Sequence, residues 1–257
     1  MSLKGRLALI TGCSGGIGKA TAMALAAQGC SIAVHYNSAK EVADKLVIDL
    51  TKNFEIRSQA FQADMSSPES VRVLYADVIV SLGHPDILFN NAGTTGKVVG
   101  KWGNIEDVTL QDFETTWNIN TGSSFLVSLT ISHNYVSLIW SHRNMDALSF
   151  ALVSLQACIG GVIGPHYASS KSALHGLVHW IAVRYAKDGI TCNAVAPALI
   201  EDTTMMANVT DEVRKSIPIG RMGKPDEVAS IVESLITNGY LTNKIMVVDG
   251  GMTPSAF

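Results

Sequence analysis

The sequence predicts an α/β fold, a doubly wound parallel sheet with helices on both faces. Three observations predict it. Seven short apolar runs recur along the 257 residues. Stretches of helical period with recognisable ends lie between them. The first run also passes straight into a glycine-rich turn that opens a helix. No linker, repeat or low-complexity stretch breaks the alternation, so one domain spanning residues 1–257 is expected.

The elements follow in chain order. Leu7–Ile10 reads as the first strand, and the Ala-rich helix Gly18–Ala27 behind it stops at Gly29, a C-cap. Ser31–Tyr36 and Arg57–Ala63 are the next two strands. Ser67 then supplies an N-cap before Pro68, which opens a helix to about Leu82. Ile87–Asn90 is the fourth strand, and Thr109 caps a helix over Leu110–Thr130. Leu148–Ser154 and Thr191–Ala196 are the fifth and sixth. Pro225 opens the helix Asp226–Asn238, and Ile245–Val248 is the seventh strand. Each run is brief, often β-branched and apolar on both faces, as parallel strands covered by helices should be.

Composition narrows the function. Hydrophobic residues make up 47% and charged residues 16%, with a net charge of -3, so the chain has ample surface to bury and is not disordered. Nineteen basic against 22 acidic residues, with no basic run, leave no electrostatic footprint for nucleic acid. The uncharged stretch Ala147–Gly164 is long enough to be weighed as a membrane span. Its Ser149, Ser154, Gln156 and glycines read instead as a buried strand entering a loop, so no membrane partner is expected. Leu7–Ile10 is too short for a signal-peptide core, and Ser255-Ala256-Phe257 carries no targeting signal. Cys13, Cys30, Cys158 and Cys192 form no paired spacing and read as free thiols, which points to the cytoplasm. The low charge also points to surface covered by other subunits.

The turn after the first strand reads Thr11-Gly12-Cys13-Ser14-Gly15-Gly16-Ile17-Gly18. Gly12 permits the tight turn, Gly16 lets backbone approach a pyrophosphate, and Gly18 lets the helix lie close to the strand. Unpaired N–H groups and the positive end of the helix dipole then face the phosphates. Tyr167 and Lys171, four residues apart on a predicted helix, project from one face. A neighbouring ammonium favours the phenolate, so the Tyr167 pKa is expected to move down toward working pH.

With these motifs the chain resembles the short-chain dehydrogenase/reductase family. The resemblance rests on Thr11-Gly12-x-x-x-Gly16-x-Gly18, Asn90-Asn91-Ala92-Gly93, Tyr167-x-x-x-Lys171 and Asn193-Ala194-Val195-Ala196-Pro197. Gly220-Arg221-Met222-Gly223-Lys224-Pro225 and Asp249-Gly250-Gly251 extend it over nearly the whole chain. It implies a Rossmann fold with seven strands in the order 3-2-1-4-5-6-7. It further implies a nicotinamide cofactor and a carbonyl or alcohol substrate, most like the 3-oxoacyl-[acyl-carrier-protein] reductase-type members. In that pattern Tyr167 exchanges a proton with the carbonyl oxygen and Ser154 hydrogen-bonds the same oxygen. Lys171 tunes Tyr167 and contacts the nicotinamide ribose. Asn120 helps hold a relay water, with Asn118 as the competing choice. The cofactor contacts implied are Gly12, Ser14, Gly15, Gly16, Ile17, Gly18, Asn37, Ser38, Asp64, Met65, Asn91, Ala92, Gly93, Tyr167, Lys171, Pro197 and Ile200. A homotetramer, or a dimer, built on the Leu110–Thr130 and Tyr167–Asp188 helices is implied too.

The second strand ends His35-Tyr36-Asn37-Ser38, with no acid to bind an adenosine 2′-hydroxyl. Asn37 and Ser38, with Lys40 nearby, could instead meet a 2′-phosphate, which favours NADP(H) over NAD(H). Gly15, where many NADP-preferring relatives carry a basic residue, argues the other way.

Other features read more plainly. His175 and His179 are spaced for a metal but lack the accompanying Glu, so no metal is expected. Cys13 reads as a small buried residue. Lys97–Asn104 with Trp102 is either a substrate-loop element or surface loop. Thr94–Asn104 and Ala198–Ile219, with Met205 and Met206, are the segments expected to set the substrate. Ala198 stands where the family usually has Gly, and the segment Ser128–Asp146 departs from the family pattern in length and periodicity. That departure keeps a rival open: a non-catalytic NADP(H)-binding regulatory protein with a distorted site.

Overall fold

The computed structural model describes residues 2–130, 149–153, 162–203 and 211–254. Seven parallel strands form one sheet in the order β3-β2-β1-β4-β5-β6-β7. They are β1 Leu7–Ile10, β2 Ser31–Tyr36, β3 Ser58–Gln62, β4 Ile87–Asn90, β5 Ser149–Val153, β6 Thr191–Pro197 and β7 Ile245–Val248. The order turns back between β1 and β4, so the loops leaving these two strands diverge and open a crevice at their carboxyl ends.

Strand periodicity divides the core into two layers. Leu7 and Leu9 join one cluster with Leu74, Val78, Leu174 and Val178, while Ala8 and Ile10 join another with Leu25, Leu46, Val232 and Leu235. Alternate side chains of one strand thus anchor opposite helix layers. Leu9 is wholly buried, and truncating it to Ala would cost about 2–5 kcal/mol. Two strands differ from expectation. Neither β3 nor β7 is buried on both faces, because both are sheet edges; β7 is apolar throughout, whereas β3 carries Ser58, Gln59 and Gln62.

Helix α1 spans Gly16–Ala27, beginning two residues before the expected Gly18, and Gly29 follows its end with φ +83°. Helix α2, Lys40–Phe54, lies between β2 and β3. Helix α3, Pro68–Leu82, has the expected cap, with Ser67 accepting from the Ser70 N–H. The helix expected over Leu110–Thr130 is not uniform. It comprises α4 Leu110–Trp117, a π-helical turn Asn118–Gly122, and α5 over 123–130. Thr109 caps α4 in a reciprocal box with Asp112. Helix α6 spans Pro165–Tyr185, followed by a short 3-10 turn Ala186–Asp188. Helix α7 is Asp211–Lys215, and α8, Pro225–Thr237, completes the layers.

Candidate functional site

The turn after β1 is held from both sides. Gly12 has φ +62°, and a Cβ there would meet the Ala92 backbone at 2.9 Å, so only glycine fits. On the β2 side the Gly12 N–H donates to His35 Nδ1 (2.9 Å) and the Cys13 N–H to the His35 carbonyl (2.9 Å). On the β4 side Asn91 Nδ2 donates to the carbonyls of Thr11 and Gly12. Thr11 Oγ1 accepts from the N–H groups of Asn91 and Ala92, both at 3.0 Å. His35 and Thr11 were not singled out from sequence. A histidine within an otherwise apolar strand run was the available signal.

Beyond this anchor the turn changes character. The N–H groups of Gly16, Ile17 and Gly18 open α1 and have no partner among the described residues. A Cβ on Gly18 would strike the Gly12 carbonyl at 2.6 Å, and one on Gly16 the Asp202 carbonyl at 2.5 Å. Three free donors at a helix N-terminus, two of them on close-approach glycines, suit the phosphates of a dinucleotide. Ser14 and Gly15 cross between the two halves, with the Gly15 N–H returning to the Gly12 carbonyl.

The groups that follow β4 meet α6. Asn120 sits fully buried in the π-helical turn; its Oδ1 accepts from the Thr94 N–H (2.8 Å). Its Nδ2 donates to the Thr94 carbonyl and to Ser170 Oγ, both at 3.0 Å. Ser170 Oγ in turn donates to the Tyr167 carbonyl (2.8 Å), which ties the turn to the face of α6 that carries Tyr167 and Lys171. Asn118 is not drawn into this network. A Cβ on Gly93 would lie 3.0 Å from Lys171 Nζ and 3.1 Å from Asn120 Oδ1, so Gly93 leaves room for both.

Lys171 Nζ stands 5.8 Å from the centre of the Tyr167 ring. Burial pushes the Tyr167 phenol up to about 12 and pulls the Lys171 ammonium down to about 8. The expected downward movement of Tyr167 is therefore reversed. The ammonium lies over the ring face, and loss of water outweighs its field. Ser154 lies outside the described residues, as do Cys158, Met205, Met206 and 131–146 of the irregular segment.

Around the other end of the crevice, Asn37 and Ser38 are exposed at the end of β2. Lys40 is engaged with Asp44 rather than turned toward them. After β3, Asp64 accepts from the N–H and hydroxyl of Ser66, which lower its pKa, and Met65 is buried beside it. Pro197 ends β6, and Ile200 is buried where it bridges to Gly223. Ala198, Ile200, Ile217, Ile219 and Asp249 line a cavity of about 210 Å³ beyond that strand.

The remaining sequence candidates sort out simply. Cys13 is buried, and burial pushes its thiol pKa up. His179 hydrogen-bonds Asn243, and the described residues contain no cluster of ligands for a metal. Trp102 is exposed, with Lys101 over its ring. No helix of the described residues is long and apolar enough to cross a membrane.

Known proteins with the same pattern cover nearly the whole chain. Residues 12–253 match the family described as Enoyl-(Acyl carrier protein) reductase. A 3-oxoacyl-[acyl-carrier-protein] reductase of Synechocystis sp. is 31% identical over 98% of both chains. An L-rhamnose 1-dehydrogenase (NADP(+)) of Thermoplasma acidophilum is 30% identical, again over 98% of both. The crystal structure of a short chain dehydrogenase from Burkholderia cenocepacia in complex with NADP superposes with a TM-score of 0.85. It is 31% identical and covers 98% of this chain and 99% of that one. With its glycine-rich turn, its buried Tyr-Lys pair and these relatives, the chain belongs to the short-chain dehydrogenase/reductase family of oxidoreductases.

Proposed function

We propose that the chain is a single-domain, NADP(H)-dependent reductase that converts a ketone to a secondary alcohol, with a 3-oxoacyl group as the leading substrate type. The observation that carries this reading is the convergence of Tyr167, Lys171 and Asn120 around Gly93. Bound NADPH would supply the hydride to the carbonyl carbon. The Tyr167 hydroxyl donates its proton to the carbonyl oxygen, and a phenol kept neutral by burial is in the right state to donate. Lys171 replenishes the positive field beside the phenolate that forms. Asn120 fixes the Thr94 backbone and, through Ser170, the pitch of α6 beneath Tyr167. Ser154, by family pattern, holds the same carbonyl oxygen.

Cofactor contacts are assigned as the sequence suggested. Gly16, Ile17 and Gly18 take the pyrophosphate, with Gly12, Ser14 and Gly15 shaping the turn. Asn91, Ala92, Gly93, Pro197 and Ile200 border the nicotinamide half, and Asp64 and Met65 border the adenine. Asn37 and Ser38, exposed beside a strand end without an acid, support NADP(H) over NAD(H). The NADP named for the Thermoplasma and Burkholderia relatives supports the same choice. The regulatory alternative is not favoured, since a sensor has no need of the Tyr-Lys-Asn arrangement.

Replacing Tyr167 with Phe should lower ketone turnover by about 10²–10⁴-fold while leaving NADPH binding intact. Normal turnover of every accepted ketone by that variant would overturn the mechanism. Exposed Phe125 and Leu129 on α5, with Trp180 and Val183 on α6, support a homotetramer or dimer built on these helices. Light scattering that reads a monomer at micromolar concentration would reject it. The absence of paired cysteine spacing supports the cytoplasm as its compartment, which fractionation of the native cells would test.

A further inference from the structure

Within β2 the run Ser31–Tyr36 carries one imidazole among Ile, Ala, Val and Tyr. His35 is 1% exposed, deep in the sheet beside β1 and β3. A buried imidazole in such a place needs both nitrogens satisfied, and both are. Its Nδ1 lies 2.9 Å from the Gly12 nitrogen and its Nε2 3.1 Å from the Ala63 carbonyl. The two partners have opposite demands. Gly12 offers an N–H, so Nδ1 must accept; Ala63 offers a carbonyl, so Nε2 must donate. Only the neutral ring protonated at Nε2 meets both.

The two partners also belong to different parts of the cofactor crevice. Gly12 begins the phosphate turn after β1. Ala63 ends the β3 crossing, and its own N–H donates to the Tyr36 carbonyl (3.0 Å), so the ring and backbone of β2 hold this residue together. Asp64 and Met65 follow at once. The His35 carbonyl meanwhile takes the Cys13 N–H, so one residue fixes two consecutive amides of the turn.

We propose that His35 is a positioning residue that joins the phosphate turn to the adenine-side loop, setting their separation for the cofactor through a ring held as the Nε2–H tautomer. It touches neither the cofactor nor the substrate. Its effect is to keep Gly12 and Cys13 occupied, while the N–H groups of Gly16, Ile17 and Gly18 stay free for phosphate. Burial, which lowers the ring's pKa, favours the same neutral form. The proposal rests on reading residues 11–18 as the nicotinamide-cofactor cradle.

Two amide substitutions separate the two ends of the ring. In His35→Asn the side-chain oxygen stands near the place of Nδ1 and keeps the acceptor for Gly12. In His35→Gln the side-chain nitrogen stands near the place of Nε2 and keeps the donor for Ala63. NADPH titration should find His35→Asn within about 3-fold of the natural chain, and His35→Gln weaker by about 10-fold. At saturating NADPH, ketone turnover should stay within about 2-fold in both, because the loss falls on cofactor affinity. In the ligand-free chain, nitrogen NMR should show His35 as the Nε2–H tautomer, and Gly12 amide exchange should speed up in His35→Gln alone.

An Nδ1–H tautomer, or equal Gly12 amide exchange in the two variants, would overturn the joint itself. Equal NADPH affinity in the two variants, or a loss confined to turnover, would overturn its effect on the cofactor. If the natural chain binds neither NADPH nor NADH, the cofactor reading falls. The spectrum and the amide exchange then still decide whether His35 holds the turn.

Discussion

Asn91 donates its side-chain amide to the carbonyls of both Thr11 and Gly12, each at 3.0 Å. One residue at the end of β4 thus closes the backbone of the turn after β1, across the crevice where the sheet order reverses. The bond is a structural one. It spends no group that a ligand needs, since the free N–H donors lie further along, at Gly16, Ile17 and Gly18.

Asn91→Leu, which keeps the shape and removes the donors, takes one of two donors from the Gly12 carbonyl, which keeps the Gly15 N–H, and leaves the Thr11 carbonyl short of a partner. Urea unfolding should show a loss of about 1–3 kcal/mol. Asn91→Asp should lose more, because a carboxylate would face two carbonyl oxygens. A stability unchanged within about 0.5 kcal/mol in both would refute the closing role.

Gly15 and Gly18 should respond differently to the same methyl group. A Cβ on Gly15 meets the Gly12 carbonyl at 3.5 Å, ordinary contact, and the residue's φ is -84°. On Gly18 the same carbonyl is at 2.6 Å. Gly15→Ala should therefore retain stability within about 1 kcal/mol, and Gly18→Ala should lose about 2 kcal/mol or more together with NADPH binding. Equal melting temperatures for the two variants would contradict this geometry.

Lys171 should be a residue whose removal abolishes activity without loosening the ligand-free fold. Its ammonium titrates near 8 when folded against an ordinary 10.5. Between those values the unfolded chain holds a proton that the folded chain has released, so this group adds stability as pH rises from 8 toward 10.5. Below 8 the fold bears the full cost of the buried charge. Lys171→Met should thus match or exceed the natural melting temperature at pH 7, and its advantage should shrink by about pH 10. A melting temperature more than about 5 °C lower at pH 7 would count against it.

Above pH 9 a different set of groups decides the outcome in both proteins. Burial raises the thiols of Cys13, Cys30 and Cys192 from an ordinary 9.0, Cys30 to about 12. The unfolded chain then ionises first, and each thiol removes about 1.4 kcal/mol per pH unit against a similar gain from Lys171. Three losses outweigh one gain. Stability measured under reductant should fall from about pH 9 upward, and a curve still rising at pH 10 would refute the assignment.

Much of this was written in local pattern. β1, β2, β4 and β7 have the expected ends, because short, mostly apolar runs bounded by turn residues leave little choice. Ser67 and Thr109 cap α3 and α4 as read, since caps are set by neighbours a turn away. What escaped depends on distant partners. His35 is a tie only because Gly12 and Ala63 reach it from other strands. The direction of the Tyr167 shift depends on burial, which an i, i+4 spacing does not encode. Among the Asn residues of the π-helical turn, Asn120 rather than Asn118 meets Thr94 and Ser170. That choice was visible as two candidates and resolved by contact with α6.

The π-helical turn has one more consequence. Thr116, Asn120, Ser124 and Ser128 are all buried, each four residues after the last. A regular α-helix turns about 400° in four residues, so such a file would slew by about 40° at every step. The wide turn at Asn118–Gly122 winds less per residue and takes back most of that drift. Four polar side chains can therefore stand in single file, from the Thr116 hydroxyl bonded to the Asp112 carbonyl to Ser128 beneath Asn90. The extra residue is absorbed as a phase correction: wound instead as regular α-helix with every residue kept, the same segment would turn its far end about 100° away from β4.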